Sequence, residues 1–186
     1  MFPKNLGLNR QKKSSIQRMI KKIISGGQTG VDRAALDAAF KLNIPHGGWC
    51  PKGRLAELDE TIPLKYDLIE TESSEYSERT KLNIQDSDGT LIFVPSLPLK
   101  VTDGTILTIQ EVEEKNKPHL IIDLSKELNI LLVIEWVKKN RIETLNVAGP
   151  RESKSPGIYK NCLQLLNQIF SLLLNENTYK NGFAKF

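Results

Sequence analysis

No apolar run in this 186-residue sequence approaches the roughly 18–20 residues that a bilayer span requires, so a soluble protein is expected and membrane partners are not. Cysteine and histidine are scarce: Cys50, Cys162, His46 and His119 stand far apart, without C-x-x-C spacing, and assemble no zinc site. Thiols this sparse fit a reducing compartment, and the reading is cytoplasmic. Acids are missing from the first 22 residues, which carry Lys4, Arg10, Lys12, Lys13, Arg18, Lys21 and Lys22. The rest of the chain is therefore mildly acidic under a net charge of +4. No aromatics interleave with these cations, so the arm over residues 1–20 reads as a solvated tail and not as a nucleic-acid binder. No apolar h-region follows it and serine is sparse, which also argues against a targeting segment.

What is present is the pattern of one α/β domain, the size expected for this length. Short apolar runs at Ile23-Ile24, Leu91 to Val94, Leu120 to Ile122 and Leu145 to Ala148 do not alternate with polar residues, as strands buried on both faces require. Between them lie helical periodicities: Val31, Ala35, Ala38, Leu42; Ile106, Ile109, Val112; Leu128, Leu131, Leu132, Trp136; and Ile158, Cys162, Leu165, Ile169, Leu172. A further strand is expected at Tyr66 to Glu70 and a further helix at Glu75 to Gln85. Strands alternating with helices specify a Rossmann-like parallel sheet flanked by helices. The domain is expected over 21–174, followed by a polar tail over 175–186. The segment from Leu128 to Val137, apolar on two faces, is the expected interface of a homo-oligomer, with Leu132 central to it.

Three turns could carry chemistry. Ser25-Gly26-Gly27-Gln28-Thr29-Gly30 follows a strand and opens a helix, where unpaired amides bind anions. It lacks the lysine of G-x-x-x-x-G-K-[ST] and the third glycine of G-x-G-x-x-G, so neither nucleotide-hydrolase nor ordinary dinucleotide chemistry follows, and packing alone would also account for such a turn. Within it Asp32 suits the positive end of the helix dipole as a capping acid, whereas Arg33 is more readily explained by an anion. Thr102-Asp103-Gly104-Thr105 opens a second helix at the same sheet edge, with Asp103 as a ligand contact or an N-cap. Gly149-Pro150-Arg151-Glu152-Ser153 adds a guanidinium and hydroxyls, for a phosphate or for a surface ion pair. The glycine- and proline-rich segment from Gly47 to Arg54 reads as a ligand-facing loop offering Lys52 and Arg54, with Trp49 as packing and Cys50 as a buried thiol. Arg79 could face the crevice or pair with Glu75, and Asp86 to Gly89 is most simply a helix-ending turn.

Taken together, residues 25–37, 48–54, 76–80, 86–92 and 148–151 resemble the molybdenum cofactor carrier family, a branch of the Rossmann-like superfamily that includes the Lonely Guy phosphoribohydrolases. The resemblance covers about Lys22 to Phe170. It implies a homo-oligomer, dimer or tetramer, that binds the molybdenum cofactor to store it or deliver it to apoenzymes. It implies no catalytic residues and no protein ligands to metal, because the pterin's dithiolene already holds the molybdenum. The candidate set it implies is Gly26, Gly27, Gln28, Thr29, Gly30, Asp32, Arg33, Lys52, Arg54, Arg79, Ser87, Asp88, Asp103, Gly104, Thr105, Gly149, Pro150, Arg151 and Ser153, with the amides of Gly27 to Gly30 on the terminal phosphate. The related hydrolases place an acid two or three residues beyond the threonine of P-G-G-x-G-T; here Thr105 is followed by Ile106, Leu107 and Thr108, and Glu111 lies further on. Two other functions stay open: an enzyme acting on a nucleotide-derived substrate through Asp32, Asp88, Asp103 or Glu111, and an interaction protein working through its basic arm.

Overall fold

A computed structural model describes residues 19–57, 61–99 and 104–174. Six strands form one sheet: β1 (Lys22–Ile24), β2 (His46–Cys50), β3 (Leu68–Glu70), β4 (Gly89–Val94), β5 (His119–Asp123) and β6 (Thr144–Ala148). The helices are α1 (Val31–Lys41), α2 (Tyr76–Gln85), α3 (Gly104–Glu114), α4 (Ile130–Lys139) and α5 (Ile158–Leu174). The sheet order is β3-β2-β1-β6-β4-β5 and every pairing is parallel. The Rossmann-like sheet expected from the alternating pattern is therefore the observed fold.

Burial explains the unalternating strands. All six residues of β4 are buried, and their side chains divide between two layers. Leu91 and Phe93 join the cluster beneath α1, α4 and α5, whereas Ile92 and Val94 pack with Ile84 of α2 and Val112 of α3. β6 follows the same alternation: Leu145 and Val147 enter the larger cluster, and Asn146 points the other way, its amide donating to Thr90 Oγ1. Ile20, assigned to the arm by sequence, is buried in the larger cluster, so packing begins before Lys21. None of the described helices is long and apolar enough to cross a membrane. Leu132 on α4 is 57% exposed.

One expected loop is a strand. Residues 46–50 pair with β1 through Ile23↔His46 and Ile24↔Gly47, and with β3 through Gly48↔Leu68 and Trp49↔Ile69. The glycines that argued against regular structure are there because neighbouring backbones press in. Gly48 has φ +123°, and a Cβ on it would lie 2.5 Å from Ser25 O. Asn83 of α2 fixes this strand, accepting from Trp49 N at 2.8 Å and donating to Trp49 O at 2.9 Å.

Candidate ligand-binding site

β1 feeds β2 and β3 on one side, while β6, β4 and β5 lie on the other, so the boundary between β1 and β6 is where the strand order reverses. Open parallel sheets bind ligands outside the carboxyl ends of the strands at such a point. A narrow crevice lies there, between Gly26, Gln28 and Asp32 after β1, Ala148, Gly149 and Arg151 after β6, Arg79 and Asn83 of α2, and Gly104 and Thr108 of α3.

The floor is tied down first. Ser25 Oγ donates to Val147 O at 2.6 Å, joining the ends of β1 and β6. The turn then runs through Gly27 and Gly30, with φ +75° and +76°. Gly30 meets the β6–α5 loop so closely that a Cβ would stand 2.4 Å from Pro150 O. The same Pro150 carbonyl accepts from Val31 N at 3.2 Å and caps the first turn of α1. Arg33 turns back and donates through Nε and Nη2 to Gly27 O at 3.3 and 3.2 Å, which braces the turn. Gln28 Nε2 donates to Leu55 O at 2.6 Å.

Asp32 and Arg79 form the crevice's buried ion pair at 3.0 Å. Asp32 is 3% exposed and also accepts from Gln28 N at 3.4 Å, just ahead of α1. Burial pushes its carboxyl above the ordinary aspartate range, opposed by Arg79 and by the Gln28 amide. Arg79 therefore pairs with Asp32 and not with Glu75, the alternative its spacing had left open. Its guanidinium lies where a Cβ of residue 26 would be, 1.6 Å from Nη1, so only glycine at 26 admits it.

The second charged group was not foreseen. Glu57 accepts from Thr29 Oγ1 at 2.5 Å, from Ser153 Oγ at 2.6 Å and from Ser153 N at 3.2 Å, while Arg151 Nη1 stands 3.8 Å away. Burial disfavours the charged carboxylate, but the bonds from Ser153 and Thr29 outweigh it and hold Glu57 below the usual glutamate range. Arg151 rests its guanidinium on the Tyr76 ring, 4.1 Å from the centroid.

Other candidates lie elsewhere. Arg54 spends its guanidinium on four carbonyls, those of Ile62, Leu68, Pro63 and Tyr66, at 2.9 to 3.2 Å, and so organises the loop before β3. Lys52 is exposed beside it and does not line the crevice. Ser87 and Asp88 precede β4 and so occupy the amino edge of the sheet, opposite the crevice. Asp88 accepts there from Glu143 N and Thr144 N at 3.0 and 2.7 Å, and Ser87 Oγ bonds Ile84 O at 3.0 Å, as a helix-ending turn would. Thr105 is buried in the first turn of α3, and Asp103 lies outside the described residues. Glu111 is buried against Lys81 at 3.2 Å. Among the described residues no group of three or more histidines, cysteines or acids could hold a metal ion.

Residues 23–170 match the model of the circularly permutated YpsA SLOG family. Among solved structures, the crystal structure of a "Putative molybdenum carrier protein" from Syntrophus aciditrophicus SB shares 48% identity with this chain. The match covers 82% of this chain and 96% of that one, with a TM-score of 0.75. No curated protein matches.

Proposed function

Because this chain belongs to the circularly permutated YpsA SLOG family, we propose that its switch-point crevice binds the molybdenum cofactor as cargo, to hold and hand it on in the cytoplasm without chemical change. The observation that carries this reading is the pairing of a glycine-walled crevice with two arginines, Arg79 and Arg151, on its lining. A pterin carrying a terminal phosphate offers a flat ring to fill such a cleft and an anion for its cationic rim. The residues fit that group: the hydroxyls of Thr29 and Ser153 already converge on an anionic oxygen pair, and a ligand whose dithiolene holds its own metal asks no cysteine or histidine of the protein. The relative named a putative molybdenum carrier protein supports a molybdenum-bearing ligand.

Of the four acids put forward for hydrolysis, the three among the described residues favour binding instead. Asp32 is committed to Arg79, Asp88 sits at the other sheet edge, and Glu111 pairs with Lys81. The test is anaerobic titration of the protein with molybdenum cofactor, with AMP as competitor and Arg151→Ala alongside. Saturable binding, displaced by AMP only at concentrations far above the cofactor's own and weakened by about tenfold or more in Arg151→Ala, is expected from loss of a charge-assisted contact. Binding or cleavage of AMP with no cofactor bound would overturn the reading in favour of a nucleotide-processing enzyme.

A further inference from the structure

We propose that Thr29, Ser153 and Arg151 form the subsite for the ligand's phosphate monoester, and that the Glu57 carboxylate is its internal stand-in, which must leave before the phosphate enters. This rests on the reading above that the ligand carries a phosphate.

The donors come from two turns that meet only because β1 and β6 are neighbours: Thr29 follows β1, and Arg151 and Ser153 follow β6. They converge beside the N-terminus of the 11-residue helix α1, where the helix dipole adds its own preference for negative charge. Two hydroxyls, a backbone amide and a guanidinium aimed at one point form an anion receptor, and the chain fills it with a carboxylate from a distant loop.

The carboxylate fills it incompletely. Its two oxygens satisfy both hydroxyls and the Ser153 amide, yet Arg151 Nη1 remains at 3.8 Å, beyond hydrogen-bond reach, with its guanidinium resting on Tyr76. A phosphate monoester brings a third terminal oxygen and a second negative charge. That oxygen gives Arg151 the direct hydrogen bond that Glu57, its ion-pair partner at 3.8 Å, does not make. The Glu152 amide, which now donates to Thr29 Oγ1 at 3.2 Å, lies in the same arc of donors.

Glu57 is also placed to leave. Its side chain keeps 14% of its surface exposed, against 4% for Asp32, so it already borders water. Ligand affinity is then set by competition, because apparent binding falls in proportion to the fraction of molecules in which Glu57 has vacated the pocket. A pocket occupied by Glu57 for 90% of the time or more would weaken phosphate about tenfold or more.

The experiment uses inorganic phosphate as probe, titrated into wild type, Glu57→Ala, Glu57→Gln and the double variant Glu57→Ala/Ser153→Ala at constant ionic strength. Glu135→Ala, on the exposed side of α4, controls for the same change in net charge. Phosphate is expected to bind about tenfold or more tightly to Glu57→Ala and by a smaller factor to Glu57→Gln, with Glu135→Ala unchanged and the gain lost in the double variant. Unchanged or weaker binding to folded Glu57→Ala overturns the proposal, and if that variant does not fold, Glu57→Gln decides. The cofactor titration separates the two readings. Cofactor binding without any effect of Glu57 on phosphate rejects the stand-in and keeps the carrier; tighter phosphate binding without cofactor binding does the reverse.

Discussion

Gly30 and Gly157 share a positive φ, +76° and +87°, but differ in what surrounds them, and that difference predicts how each tolerates alanine. At Gly157 nothing lies within 4 Å of the added Cβ, so Gly157→Ala meets only the left-handed backbone penalty of about 1–2 kcal/mol, partly offset by about 0.4–1 kcal/mol through a less flexible unfolded chain. Gly30→Ala meets more. Its ψ of −129° lies outside the left-handed helical well, at about 1–3 kcal/mol of strain, and its Cβ would stand 2.4 Å from Pro150 O and 2.8 Å from both Arg151 C and Glu152 N. These are backbone atoms and cannot swing aside, so relief requires moving the β6–α5 loop, at a further cost of about 1–3 kcal/mol. The expected loss is about 2–6 kcal/mol for Gly30→Ala against less than about 2 kcal/mol for Gly157→Ala. At about 2–4 °C per kcal/mol for a chain of this size, thermal unfolding by circular dichroism should place Gly30→Ala roughly 10 °C below wild type and Gly157→Ala within a few degrees of it. The moved loop also carries Arg151 and Ser153, so folded Gly30→Ala should lose phosphate and cofactor affinity while Gly157→Ala keeps both. Equal melting temperatures for the two variants would refute the close approach of the two turns.

Arg54→Ala should cost about 2–4 kcal/mol by leaving four carbonyls without their shared donor, and Arg54→Lys should restore little because an ammonium cannot reproduce the planar fork; chemical denaturation measures both. Asp37 accepts from Lys65, Tyr66 and Tyr159; burial works against its charge, but these three bonds hold its carboxyl below the ordinary range. A lowered folded pKa contributes stability above the unfolded value near 4, lost as pH falls through the folded value. The gap between wild type and Asp37→Asn, about 1–3 kcal/mol at pH 7, should therefore close as the pH is lowered below 4, and a gap that widened with acid would reverse the sign of the argument.

Most of the sheet was legible because strands buried on both faces leave unbroken β-branched runs, as β4 does. β2 was not, because its glycines answer to the backbones of β1 and Asp67 beside it, and no local pattern in Gly47-Gly48 records them. The Ser25 to Gly30 turn could be read locally, since strand, glycines and helix are contiguous. Glu57 could not, since it meets Thr29 across 28 residues and Ser153 across 96. Arg54 misled for a related reason: its partners are carbonyls 8 to 14 residues downstream, a pattern that sequence cannot distinguish from a free cation. At Asp86 to Gly89 the bare residue pattern, a helix-ending turn, describes the structure, with Asp86 closing α2. The motif resemblance had drawn Ser87 and Asp88 into the site, but a residue before a parallel strand lies at the edge away from the crevice.

The two acids beside the crevice differ in one property that decides what each can do. Asp32 is 3% exposed, and removing its charge would leave the Arg79 guanidinium buried against Gly26 without its partner, a loss of the order of 3–5 kcal/mol for a broken buried pair. That pair is a fixed wall, and the raised pKa of Asp32 reflects the cost of burying its charge. Glu57 keeps 14% of its side chain exposed and is held by two hydroxyls and an amide. Under the exchange proposed above, Glu57 is the one of these two acids that leaves, and replacing it by a phosphate would leave the site anion-filled throughout. Arg151 would then face an anion in both states, and the energy of cofactor binding would be a difference between two occupied pockets. For the carrier function proposed above, that is the condition under which cargo would be released as readily as it is taken up.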